Sequence, residues 1–241
     1  MLLINRLKME KVKTGIKGFD KLVDGGFPRG KSILLSGTPG TCKTIFALQF
    51  LYNGAMESKE KGLYISFEER TQSLKNQALQ FGWDFDKLEK SGMVKIISIP
   101  PKSIKESTAA EIIKMANESK VKRLVIDSLS VLSINVPTTY TKVSELTNIS
   151  IKRFMYRFIN DLRDSNSEVT SLLISQTTNG QLSRDTVSEF ICDGIIHISY
   201  ETLGGNYSRS LIIRKMRETN NDEDIHPLEI GKNGLIVHDL K

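Results

Sequence analysis

The feature that most constrains this chain is the junction between a short apolar run at residues 32–36 and the segment Gly37, Thr38, Pro39, Gly40, Thr41, Cys42, Lys43, Thr44. That segment opens a helix lined by Ile45, Leu48, Phe50 and Leu51. A strand, a glycine-rich turn and a helix in this order match the Walker A pattern in the context the pattern requires. Such a turn curls around phosphates, because successive backbone N–H groups converge at a helix N-terminus, where unpaired donors and the helix dipole favour negative charge. Thr38, Pro39, Gly40, Thr41, Cys42, Lys43 and Thr44 then form the cradle, with Lys43 on the terminal phosphates and the Thr44 hydroxyl on Mg2+. The pattern has glycine immediately before the lysine, and here Cys42 stands in its place. If that backbone needs φ > 0, its Cβ costs about 1–2 kcal/mol, equivalent to about ten- to thirtyfold in affinity.

A phosphate cradle needs companions. Residues 123–126 read as a strand closed by Asp127, the arrangement that sets a Walker B carboxylate against the water shell of Mg2+. The strand at 63–67 ends in Glu68 and Glu69, at the sheet edge where ligands of open α/β sheets bind, so one of the pair can activate water. The same two acids also suit the dipole of the helix that begins near Thr71. Arg214, Lys215, Met216 and Arg217 end a late strand. Charges there are usually only solvated, but in ring-forming ATPases such a group reaches the neighbour's γ-phosphate in trans.

Further apolar, β-branched runs at 94–99 and 171–175 alternate with helical patterns, including one carrying Ile112, Ile113 and Met115. The fold class is therefore α/β, with a mostly parallel central sheet and helices on both faces. Past Asp193 the runs at 194–200, 210–216 and 235–238 are close-set, with turn residues such as Gly204 and Gly205, and read as C-terminal antiparallel strands that extend the sheet. No repeat or linker divides the chain, so residues 1–241 form a single domain, with the polar stretch 137–148 as a long functional loop. A hydrophobic fraction of 39% and a charged fraction of 26% exclude a disordered chain. The formal net charge of +6 is spread along the sequence, so anionic partners are only weakly favoured. Cys42 and Cys192 form no disulfide framework or zinc pattern, and no signal or membrane-spanning run is present. A cytoplasmic protein with no membrane partner is expected.

With these residues assembled, the chain resembles the single-domain archaeal KaiC-like ATPases of the RecA superfamily, which are close to the archaeal RadA paralogues. The carriers are Thr14, Gly15, Ile16, Gly18, Phe19, Asp20, then Gly25, Gly26, Pro28, Gly30, then Phe67, Glu68, Glu69, and Phe81, Gly82, Trp83, Asp84. Ile126, Asp127, Ser128, then Glu189, Phe190, Asp193, Gly194, and finally Lys215, Met216, Arg217 complete them. The resemblance implies a RecA-like P-loop NTPase fold, ATP and Mg2+ held between adjacent subunits, and Glu68 and Glu69 as the catalytic pair. It also implies Lys215 and Arg217 acting in trans, and a homo-oligomer that is most often a hexameric ring. Glu218 departs from the glycine that clock KaiC proteins tend to have after the arginine. Glu189 and Phe190 stand where the kinase half of the clock protein has two Ser/Thr acceptors, so this chain resembles the ATPase half and no autophosphorylation is expected there.

Three functions fit the sequence: a regulatory ATPase whose assembly or protein contacts change with nucleotide, a recombinase paralogue that binds single-stranded DNA, and a nucleotide-gated scaffold with little turnover. In the second, loops 137–148 and 177–188 would face DNA, but they offer only Lys142, Arg184 and the aromatic Tyr140.

Overall fold

The computed structural model describes residues 10–134, 144–177, 181–200 and 208–239. Strands β1 (Lys11–Val12) and β2 (Phe27–Pro28) make a small antiparallel ribbon, followed by β3 (Ser32–Gly37) and helix α1 (Lys43–Met56). Next come β4 (Gly62–Ser66), α2 (Thr71–Leu79), α3 (Phe85–Lys90), β5 (Val94–Ser98) and α4 (Thr108–Glu118). Strand β6 (Arg123–Asp127) leads to α5 (Leu129–Ile134), α6 (Ser144–Ser165), β7 (Thr170–Gln176) and α7 (Ser188–Ile191). The last elements are β8 (Gly194–Tyr200), β9 (Arg209–Met216), β10 (His226–Gly231) and β11 (Gly234–Val237).

Nine strands form one sheet in the order β11-β10-β9-β8-β3-β7-β6-β4-β5. Strands β3, β4 and β6 are buried along their whole length, which is why they read as unbroken apolar runs rather than alternating ones. One core cluster packs Phe46, Phe50 and Leu51 of α1 with Tyr64 and Trp83 on one face of the sheet. The other face is covered by Leu132, Phe158 and Ile159 from α5 and α6. The cradle strand β3 runs parallel to both β7 and β8, so the turn that leaves its upper end opens where strand ends converge.

The α/β fold is as expected, with three adjustments. Strand β8 is parallel to β3 and antiparallel only to β9, so the antiparallel extension starts one strand later than the close spacing implies. Strand β10 escaped the sequence reading because its apolar positions alternate with Pro227 and Glu229 instead of forming a run. Helix α6 already begins at Ser144, so the expected loop at 137–148 is helical in its last part, and its remainder lies outside the described residues together with Gly204 and Gly205.

The foot of the sheet is fixed by a buried charge. The Arg123 side chain is 1% exposed, its Nε sits 2.7 Å from Glu60 Oε2, and its Nη1 donates to the Phe50 carbonyl at 2.7 Å. Its guanidinium lies 4.6 Å over the Phe50 ring, in room that Gly54 provides: a Cβ there would fall 2.3 Å from Arg123 Nε. Glu60 also accepts Arg29 at 2.7 Å. Burial alone would raise the Glu60 carboxyl, but the bonds from Arg29 and Arg123 hold it below its ordinary value. This network ties the far end of the cradle helix α1 to the foot of β6, whose top carries Asp127. Glu60→Ala strands a buried guanidinium and is expected to cost about 3–5 kcal/mol. Thermal unfolding at neutral pH checks this, and an unchanged melting temperature would contradict it.

Candidate active site

The cradle forms where β3 ends. Gly40 takes φ 84, a left-handed value that glycine adopts without strain. Cys42 takes φ 62 and ψ 26 as the residue capping α1, so the condition set by the missing glycine is met. The side chain of Cys42 packs partly against the core beneath α1, and burial pushes its thiol up to about 12. Lys43 folds back: its Nζ donates to the carbonyls of Gly37 (2.8 Å) and Thr38 (2.7 Å) and to Thr41 Oγ1 (3.1 Å). Burial pulls its pKa down, against the pull of Asp127 and Glu68 in the other direction. Pro39, Gly40, Thr41, Cys42, Lys43 and Thr44 line a cleft of about 360 Å3, while Thr38 supports the loop from behind through its carbonyl.

Asp127, at the top of β6, reaches the same cleft. Its Oδ2 accepts from the Thr44 hydroxyl at 3.2 Å and from the Tyr64 hydroxyl at 2.6 Å. Burial raises its pKa to about 6, opposed by those two bonds and reinforced by the charge of Glu68. The two sequence-predicted metal residues are therefore in contact. Two hard oxygens suit an ion that keeps phosphate and water for its other positions, as Mg2+ does. Among the described residues there is no group of three or more His, Cys, Asp or Glu side chains that could hold a metal without such help.

The two acids after β4 part company. Glu68 faces the cradle, with Oε1 accepting from Ser128 Oγ at 2.5 Å and Oε2 from Gln176 Nε2 at 2.6 Å. Glu69 turns to its own helix, where Oε2 accepts from Ser73 Oγ at 2.8 Å and from Gln77 Nε2 at 2.5 Å. Lys215 and Arg217 are at the opposite edge. Met216 pairs with Gly194, and Gly194 with Ile33, whereas the cradle begins at Gly37. At about 3.3 Å per residue, four residues of strand set them about 13 Å below their own cradle along the strand direction, on a strand two places to the side. There Lys215 Nζ donates to the Cys192 carbonyl at 2.6 Å, and Arg217 rests loosely on Asp193 Oδ1 and the Phe190 carbonyl, each at 3.4 Å.

Three site residues went unread in the sequence. Tyr64 sits in an apolar run and looks like core, and Gln176 extends β7 one residue past its apolar stretch. Arg209, whose Nε donates to the Gly40 carbonyl at 3.0 Å, carries no local motif. The loop residues Tyr140 and Lys142 lie outside the described residues.

The KaiC ATPase family matches residues 12–241, and the chain belongs to it. A UPF0273 protein of Methanocaldococcus jannaschii is 33% identical over 95% of this chain and 97% of its own length. A UPF0273 protein of Thermotoga maritima is likewise 33% identical, over 95% of this chain and 96% of that protein. The circadian clock oscillator protein KaiC of Prochlorococcus marinus is 30% identical, and this chain spans 46% of it. The crystal structure of a KaiC-like protein from Pyrococcus horikoshii superposes with a TM-score of 0.81 at 36% identity, covering 96% of this chain.

Two outcomes follow from the geometry. The left-handed Cys42 backbone belongs to the turn that caps α1, so its strain is a cost of folding and not of binding. Cys42→Gly should therefore change nucleotide affinity by less than about threefold, and titration calorimetry showing a gain of about tenfold would place the strain in the binding step. Asp127, with a folded pKa of about 6 against about 3.9 unfolded, stabilises the fold most below pH 4, and that contribution is lost as pH rises through 6. The loss is about 3 kcal/mol, and Asp127→Asn should remove it from a denaturation series between pH 4 and 7. An identical pH slope in the variant would contradict this.

Proposed function

For a KaiC-family chain with this cradle, we propose that it binds ATP with Mg2+ and hydrolyses it in a homo-oligomeric ring, acting as a regulatory ATPase. The observation that carries the reading is Glu68, the one acid of its pair that lines the cleft beside Lys43 and Thr44. Ser128 and Gln176 fix its orientation, which prepares one carboxylate oxygen to take a proton from a water in line with the terminal phosphate. Lys43 exchanges its contacts with the Gly37 and Thr38 carbonyls for phosphate oxygens, and Arg209 waits at the loop's tip. Thr44 and Asp127 hold Mg2+, which neutralises charge on the phosphate oxygens when bound.

The site needs a neighbour. Lys215 and Arg217 serve a cradle other than their own, since they stand at the foot of the sheet on a partly exposed face with Phe190 68% exposed beside them. A ring of identical chains supplies that arrangement, and a six-membered ring is the preferred form. The DNA-binding reading depends chiefly on residues outside those described, and the scaffold reading loses its basis if Cys42 does not tax binding. Ser188 is fully buried with its hydroxyl bonded to Asp185 at 2.8 Å, which supports an ATPase without self-phosphorylation at this place.

Glu68→Gln is expected to cut steady-state ATP turnover by about 10²–10⁴-fold while leaving ATP affinity intact. Glu69→Gln should stay within about threefold of wild type, because its carboxylate bonds only its own helix and contributes the few tenths of a kcal/mol typical of such pairs. Equal losses in both variants, or none in the first, would remove Glu68 from the role of base. Mass spectrometry after incubation with ATP should find Ser188 unmodified, and phosphate there would contradict the absence of self-phosphorylation.

A further inference from the structure

Basic residues that are scattered along the sequence are gathered by the fold at the sheet edge opposite the cradle, around a cleft of about 460 Å3. Two copies of one short sequence build it. Glu57, Ser58, Lys59, Glu60, Lys61 follow the end of α1, and Glu118, the last residue of α4, leads into Ser119, Lys120, Val121, Lys122, so Glu-Ser-Lys-X-Lys recurs where a helix gives way to a strand. The strands that follow, β4 and β6, are neighbours with Gly62 opposite Arg123, and the Lys61 carbonyl accepts the N–H groups of Lys122 (2.8 Å) and Arg123 (3.1 Å). Both Lys59 (φ 56) and Lys120 (φ 52) hold left-handed backbone, at helix ends where glycine or asparagine is usual.

The acids of the cleft are already engaged. Glu60 is bound by Arg29 and Arg123, both at 2.7 Å, Glu10 by Arg29 at 2.8 Å, and Glu168 by Lys122 at 3.2 Å. Lysines at helix ends ordinarily answer the carbonyl end of the dipole, and Lys59 does so through the Met56 carbonyl at 2.9 Å. Among the described residues Lys61 and Lys120 have no such partner and no carboxylate. Arg29, Lys59, Lys61, Lys120 and Lys122 thus outnumber Glu10, Glu60 and Glu168, and the surplus cations converge on one concave space.

We propose that this cleft binds a compact polyphosphate anion of the pyrophosphate or tripolyphosphate class. Convergent ammonium groups on flexible stems suit several closely spaced anionic oxygens. An extended nucleic-acid backbone fits it less well, because no aromatic side chain lines the cleft to stack a base. The inference does not depend on the hydrolysis proposed above.

The test uses the full chain with tripolyphosphate as the probe, followed by titration calorimetry at low ionic strength. Lys43→Ala first disables the cradle, which would otherwise take the same anion. This variant is expected still to bind tripolyphosphate, and adding Lys61→Gln and Lys120→Gln should weaken that binding by about tenfold or more. Lys61 and Lys120 are exposed, so the paired substitution in an otherwise wild-type chain should leave the fold and ATP binding at the cradle unchanged. The proposal is overturned if Lys43→Ala binds no tripolyphosphate, or if the paired substitution leaves its affinity as it was. Single-stranded DNA that binds Lys43→Ala more tightly than tripolyphosphate, and loses affinity with the same pair, would reassign the cleft to nucleic acid and also overturn it.

Discussion

The Asp127 carboxylate, buried at the top of β6 and shared by the hydroxyls of Tyr64 and Thr44, is the constraint on which the site depends. Three elements meet at that oxygen: the cradle helix through Thr44, the strand that delivers Glu68 through Tyr64, and β6 itself. An unpaired carboxylate in this position would be costly to keep, so the two hydroxyls hold the charge and fix the spacing between strands at once. Its pKa of about 6 shows that they compensate burial only in part. The remaining deficit is what a divalent cation beside Thr44 would offset, which gives the cleft a built-in preference for positive charge.

The sheet then separates two kinds of work by its two edges. The upper edge carries the cradle, Asp127 and Glu68. The foot carries the buried Arg123 and Glu60 pair, the convergent lysines, and the end of β9 with Lys215 and Arg217. Because β9 runs antiparallel to β8, its C-terminal charges fall at the foot while its first residue, Arg209, touches the cradle tip. One strand therefore presents arginines to both edges. The proposed completion of a cradle by a second subunit draws on this polarity.

Much of this was legible in the sequence, and the reasons are local. Gly37 to Thr44 declares itself because a strand, a turn and a helix must follow one another within a few residues, and Asp127 because it closes an apolar run. The choice between Glu68 and Glu69 was not legible. It turns on Ser73 and Gln77, which lie on the helix face above Glu69 and hold its carboxylate there, and on Ser128 and Gln176, which come from distant strands to hold Glu68. Arg209 and Tyr64 were hidden for the same reason, since their roles come from register across the sheet and not from any neighbour in sequence. The foot lysines looked like a solvated surface because the two Glu-Ser-Lys-X-Lys copies are far apart until β4 and β6 pair.

The central claim, that each cradle is completed by the foot of another subunit, is tested most directly by mixing two inactive variants. Lys43→Ala keeps the foot and disables the cradle, while Arg217→Ala keeps the cradle and disables the foot. Each alone should hydrolyse ATP poorly, and the mixture should regain turnover because intact cradles meet intact feet at some of its interfaces. A mixture as inactive as its components, or an Arg217→Ala variant as active as wild type, would contradict the claim.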